Sequence, residues 1–239
     1  HAMGLVGDVM NDFEIVIQAG ALLAVVWLYR ARVADLLQGA VRPHPTGRSL
    51  LLKLTVAFLP AAIAGLLLHK GIKAHLFGPG PVAAALFVGG VAMVLFERWR
   101  RGKGAPRITS VDAIPLGAAF AIGLFQCVSL WPGTSRAMVT ILGALLMGCT
   151  SVVAAEFSFL LALPTLGAAT AFDLFQSRDT LLQGEAIGAD ALAIGLLTAA
   201  IVAAFAIRSF LRYLTRHGLA PFGWYRIALG IAVFVFLGT

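Results

Sequence analysis

The segment Trp131-Pro132-Gly133-Thr134-Ser135-Arg136 cuts a long apolar stretch, Val111–Gly148, in its middle. Pro132 and Gly133 end a helix that reaches them, and a new helix starts near Ser135. The first N–H groups of that helix have no partner inside it, and the positive end of its dipole points into the break. Arg136 adds a guanidinium there, while Thr134, Ser135 and Thr140 add hydroxyls. A guanidinium beside a helix N-terminus, with Gly133 leaving the backbone open, is an arrangement that binds phosphate. The alternative is an Arg136 paired with an internal carboxylate that holds the break shut. Either role must offset the insertion cost of an arginine at membrane depth, at least ~2.5–3.5 kcal/mol.

Other polar residues inside apolar sequence are few. Glu14 and Gln18 stand at i and i+4, so they share one helix face. That face is either a metal ligand and polar cavity wall or a buried hydrogen bond between helices. Gln126, five residues before Trp131, carries the same two readings. Glu156 falls in the first turns of a helix, where a carboxylate complements the dipole, and is expected to be structural. His44, His69, His75 and His217 lie at segment ends without partners at metal-ligand spacing and read as interfacial. Cys127 and Cys149 belong to no CxxC or Cys/His pattern and read as buried thiols.

The elements that must hold these groups are membrane helices. Hydrophobic residues make up 60% of the 239, charged ones 12%, and the mean hydropathy is +0.93. Soluble domains carry about a quarter charged residues, so this chain has too little polar surface to cover a water-exposed core. The net charge of +7 does not point to nucleic acid, because the basic residues flank apolar runs instead of forming a stripe. No linker divides the chain, and a single membrane domain over 1–239 is expected. A spanning helix needs about 20 mainly apolar residues. Phe13–Tyr29, Leu51–His69, Pro81–Phe96, Ser151–Phe172, Ala189–Phe210 and Phe222–Leu237 are the six candidates.

Arg30, Arg32, Arg42, Arg48 and Lys53 crowd one connection, Arg98, Arg100, Arg101, Lys103 and Arg107 a second, and Arg208, Arg212 and Arg216 a third. The connections around Lys70/Lys73 and Arg178 are poor in base. The positive-inside rule puts the first three in the cytoplasm. With that alternation, Val111–Gly148 must enter and leave on one face, as a re-entrant helix–break–helix. Non-helical backbone at depth is tolerated only within protein or beside a wet cavity, so a site is expected at the break. Phe13-Glu14 and Glu156-Phe157 each open a helix that two more follow, with opposite orientation. The expectation is an inverted-topology repeat, 1–107 and 108–239, in which the first half would also open with a hairpin, upstream of His1.

Phe125-Gln126-Cys127 leading to Trp131-Pro132-Gly133-Thr134-Ser135-Arg136, with Thr140 following, resembles the undecaprenyl-pyrophosphate phosphatase (bacitracin-resistance) family. Phe13–Gly20, Glu156–Ala162 and Pro221-Phe222 with Tyr225-Arg226 resemble it too, so that the similarity runs along essentially the whole chain. The resemblance implies an all-α polytopic enzyme of the bacterial inner membrane, its site reached from the periplasm. Such an enzyme removes the terminal phosphate of undecaprenyl diphosphate to recycle the carrier lipid of cell-wall synthesis. It implies Ser135, Arg136 and Thr140 as ligands of the diphosphate, and a divalent cation, Mg²⁺ or Ca²⁺. The family's Ser-Gly after the Arg is replaced by Ala137-Met138. A second family signature, Glu-rich and ending in a Pro-x-Ser-Ser-Thr-Gly-His run, would lie just before this sequence, with His1 matching its last residue as a catalytic candidate. A hydroxyl, His1 or water remain as nucleophiles. Expected partners are the bilayer and a polyprenyl diphosphate lipid; a homodimer is admitted, nucleic acid is not. The rival reading is a transporter or flippase of an anionic polyprenyl lipid, since broken helices in inverted repeats also build transporters.

Overall fold

The computed structural model describes residues 17–100, 102, 105–176 and 189–237. His1 and Glu14 lie outside them. Among the described residues the secondary structure is helical, with one isolated bridge and no strand. We label the helices α1 (Ile17–Leu28), α2 (Arg30–Val41), α3 (Pro45–His75), α4 (Pro79–Arg100), α5 (Leu116–Cys127), α6 (Arg136–Leu146), α7 (Ser151–Gln176), α8 (Ala189–His217) and α9 (Ala220–Leu237). Four stretches are long and apolar enough to cross a membrane: Pro45–Leu68, Pro79–Arg100, Ser151–Ala168 and Asp190–His217. The first and last of the six expected spans appear as the shorter apolar helices Ile17–Leu28 and Ala220–Phe236.

Two boundaries differ from the sequence reading for local reasons. The first basic connection is not a loop: Arg30–Val41 is built of good helix formers and folds as α2. Helix α3 starts six residues before the apolar run, because His44 Nδ1 accepts the Gly47 N–H at 3.0 Å and Pro45 sits in the first turn, where it has no N–H to lose.

The stretch Val111–Gly148 is the hairpin its composition predicts. Helix α5 runs in, a short 3₁₀ turn (Val128–Leu130) ends it, and α6 runs back against α5. The two ends of the hairpin meet. Arg107 and Ile108 donate their N–H groups to Gly148 O at 3.0 Å each, and Thr150 N donates to Ile108 O at 2.9 Å. The core of the molecule surrounds this unit: Val111, Ile114, Ile122, Ile141, Phe157, Leu160 and Leu161 are fully buried. Helix α5 packs on α3 and α6 on α7. At the α3–α5 crossing a Cβ on Gly123 would stand 2.5 Å from Ala57 O, so only glycine admits this approach.

The base of the hairpin is held by charge. Arg32 reaches from α2 to Asp112 Oδ2 at 2.9 Å and to Glu156 Oε1 at 3.2 Å. Partial burial works to lower the Arg32 pKa, yet the hydrogen bond and charge of Asp112, with those of Glu156, hold it above its ordinary value. Glu156 is thereby tied to α2 through Arg32, a partner from another helix. Lys53 corrects the sequence reading: it belongs to α3, not to a loop, and is 5% exposed. Its Nζ donates to Asp112 O at 2.6 Å. At the other turn of the bundle, Glu97 on α4 accepts the Leu219 N–H at 3.1 Å, anchoring the start of α9.

Candidate active site

Ser135 is the N-cap of α6. Its backbone is extended (φ −80°, ψ 122°), its Oγ accepts the Met138 N–H at 3.3 Å, and its carbonyl accepts from Val139 N at 3.0 Å. Arg136 is then the first helical residue, so its side chain and the first N–H groups of α6 open on the same side of the break. Trp131 through Ala137 all remain partly exposed, while Met138 through Leu145 are buried. The break is thus an accessible rim set on a buried helix.

Neighbouring helices fix that rim. Gly133 has φ +90°, and a Cβ there would lie 2.7 Å from Val82 O on α4. Trp131 Nε1 donates to Pro81 O at 3.1 Å, and Arg226 Nη2, from α9, donates to Gly133 O at 2.7 Å. Thr134 Oγ1 sits 2.6 Å from Trp131 O and 3.0 Å from Val128 O. Its proton is therefore engaged with the turn itself, and its role here is to shape the turn.

Arg136 and Thr140, one helical turn apart, converge on Ser158 of α7. Arg136 Nη1 donates to Ser158 O at 3.0 Å, and Thr140 Oγ1 lies 2.6 Å from Ser158 Oγ. Thr140 Oγ1 is also 2.9 Å from Arg136 O. A single carbonyl takes up one edge of the guanidinium and leaves the rest of the planar fork for an anion. Among the described residues Arg136 makes no ion pair; the only pairs there belong to Arg32.

The remaining candidates lie apart from this cluster or flank it. Gln126 is buried at the end of α5, and its Oε1 has no partner among the described residues. Gln18 Oε1 is 3.5 Å from Thr170 Oγ1, a weak link between α1 and α7. Glu14 is outside the described residues. Two contributors carried no role in the sequence reading, Ser158 and Arg226. The signal for Arg226 was available: it is an arginine inside an apolar helix, the argument already applied to Arg136. Ser158 acts through its backbone carbonyl and a fully buried hydroxyl, and small hydroxyl residues leave no such mark in a sequence.

An anion clamp would draw on the Arg136 fork and the α6 N-terminus; Arg226 bonds the Gly133 carbonyl and keeps its Nε buried without a partner among the described residues. A hard divalent cation needs several oxygen ligands, carboxylates above all. Among the described residues no group of three His, Cys, Asp or Glu comes together, so these residues alone do not fit such an ion.

Comparison with known proteins gives consistent results. The family model described as bacitracin resistance protein BacA matches residues 2–232. An undecaprenyl-diphosphatase of Sorangium cellulosum (strain So ce56) is 54% identical over 234 residues, which is 97% of this chain and 75% of that protein. Undecaprenyl-diphosphatase 1 of Chromobacterium violaceum is 47% identical over 227 residues, 95% of this chain and 80% of that protein. An undecaprenyl-diphosphatase of Rhizorhabdus wittichii is 45% identical over 239 residues, 98% of this chain and 88% of that protein.

Proposed function

The chain belongs to the bacitracin resistance protein BacA family, and on that premise we propose that it is a membrane phosphatase acting on undecaprenyl diphosphate. The products are undecaprenyl phosphate and inorganic phosphate. Hydrolysis adds the oxygen of water to the terminal phosphorus, the bond from that phosphorus to the bridging oxygen breaks, and the lipid monophosphate leaves with the bridge oxygen. The observation that carries this reading is Arg136 at the N-terminus of α6, hydrogen-bonded to the Ser158 carbonyl and ion-paired to no carboxylate among the described residues.

In this reading Arg136 binds non-bridging phosphate oxygens by two parallel N–H bonds, and the α6 amides with the Ser135 hydroxyl complete the cradle. Phosphoryl transfer asks the protein chiefly for positioning and charge stabilisation, and these groups supply both. Ser158 orients the guanidinium, and Thr140, bonded to Ser158, steadies the same wall of the site. Gly133 and Thr134 shape the turn, and Gln126 belongs to its polar surroundings. The family resemblance implies Mg²⁺ or Ca²⁺ as the cofactor. The relatives named above are undecaprenyl-diphosphatases, which supports the phosphatase reading over the transporter. Purified full-length protein in detergent, given undecaprenyl diphosphate, is expected to release phosphate; a transporter needs a sealed bilayer and releases none.

The finer architecture is also proposed. Six spans in two inverted halves, 1–107 and 108–239, place the basic connections in the cytoplasm of a bacterial inner-membrane protein and open the break to the periplasm. Thirteen basic residues in the three connections, counting Lys53 on α3, support this orientation. Single cysteines at positions 42 and 107, in protein lacking Cys127 and Cys149, are expected to resist a membrane-impermeant thiol reagent added from outside. Strong labelling at either site would reverse the orientation.

A further inference from the structure

A lipid substrate has two parts, and the clamp accounts for one. Along the outer side of α3 and α5 runs an apolar groove of about 680 Å³. Leu67, Leu68 and Cys127 form one end, Val56 and Phe120 the other, with Ala64 and Leu124 between. The first end is level with the break. A Cβ on Gly65 would meet Leu130 Cδ2 at 3.5 Å, and Cys127 adjoins Val128, whose carbonyl lies 3.0 Å from Thr134 Oγ1. From there the groove descends towards the hairpin base for twelve residues of α3, Leu68 back to Val56, or about 18 Å at 1.5 Å per residue. Leu67, Leu68, Phe120 and Leu124 are exposed along it.

Two other apolar grooves fit less well. The one between α1 and α8 ends at Arg30 and Arg208, and Arg30 opens α2 two residues before Arg32, which pairs with Asp112 at the hairpin base, the end away from the break. The one between α4 and α9 is near the break but holds only about 290 Å³.

We propose that the α3–α5 groove seats the proximal part of the substrate's prenyl chain, with the diphosphate at Ser135 and Arg136. The inference rests on the phosphatase reading and adds where the tail lies. A headgroup held at the break sends its chain into the hydrocarbon along the hairpin, and this groove begins at that level and points that way. The prenyl chain is already in hydrocarbon, so the gain comes from closer van der Waals packing against the groove walls than mobile lipid tails provide, and this packing sets affinity for long chains.

The test is a chain-length comparison. Ala64→Trp and Leu124→Trp, at surfaces away from the clamp, fill the groove. For undecaprenyl diphosphate KM is expected to rise roughly fivefold with kcat held, from the lost tail packing. For dimethylallyl diphosphate, whose single isoprene unit is too short to reach Leu124, neither constant moves. Unchanged KM for the long substrate, or equal losses for both, would overturn the proposal. Thiol labelling gives a readout free of turnover. Cys127 is partly exposed in the groove and Cys149 is buried. A non-hydrolysable undecaprenyl methylenediphosphonate is expected to slow modification of Cys127 by a lipid-soluble maleimide, and an unaltered rate overturns the groove assignment. If no substrate yields phosphate, the phosphatase reading falls, and Cys127 protection still decides the groove.

Discussion

Arg136→Ala is expected to lower kcat/KM for phosphate release by on the order of 10²–10³-fold, the usual cost of removing a pre-positioned donor from a developing charge. Arg136→Lys is expected to stay close to Ala. The native side chain performs two tasks at once: Nη1 bonds the Ser158 carbonyl at 3.0 Å while the rest of the fork faces the break. An ammonium on a flexible stem is a point charge and cannot hold that carbonyl and grip a phosphate bidentately in fixed geometry. Stability should move the other way. A guanidinium at membrane depth is costly to keep, so the Ala variant should melt in detergent at or above the wild-type temperature, whereas the Lys variant keeps a cation there and gains nothing. Inactive protein with undiminished Tm therefore marks a binding role. A Lys variant with near-wild-type turnover would show that bulk charge suffices.

The second large effect is expected at Gly133→Ala. The residue has φ +90°, a region that side-chain-bearing residues occupy at a cost of about 1–3 kcal/mol. The new Cβ would also stand 2.7 Å from the Val82 carbonyl, a backbone atom that cannot swing away. Relief requires the turn to move off α4, which pulls Gly133 O from Arg226 Nη2 and shifts the start of α6. A displacement of about 1 Å in a positioning element costs on the order of 10²-fold in rate. Phosphate release is expected to fall by that factor, with a lowered Tm. Adding Val82→Ala removes the Cγ1 contact at 3.1 Å but leaves the carbonyl, and should not rescue. Activity within twofold of wild type would mean that the rim is not held by this contact.

The sequence carried the hairpin because one residue class betrayed it. Pro132-Gly133 and Arg136 are improbable inside an apolar stretch unless the chain breaks there, and the break stands at that point, with Ser135 as the cap and Arg136 as the first helical residue. The long helices were legible from hydropathy, but their ends were not. Capping by His44 and Pro45 extended α3 backwards through polar sequence, and α2 formed where no apolar run announced it. What could not be read was pairing across distance. Arg32 with Asp112 and Glu156, Lys53 with the Asp112 carbonyl, and Arg136 with the Ser158 carbonyl join residues far apart in sequence, several through backbone atoms that every residue shares. Side-chain type predicts which groups need partners; only the packing of α2, α3 and α7 around the hairpin says who they are.

The closed base of the hairpin makes its arms a ruler with a phase. Because Arg107 and Ile108 are tied to Gly148, and Thr150 to Ile108, the two strands of chain leaving the break are clamped at one level. The depth and the compass direction of the clamp are then functions of arm length alone. One residue added to α6 would leave the base in place, lift the break by about 1.5 Å and turn everything beyond the insertion by about 100°. Arg136 would swing away from Ser158 towards lipid, and no side chain would have changed. The eleven residues of α6 are in this sense a coordinate as much as a wall: a change in their number moves the break even when every side chain is kept.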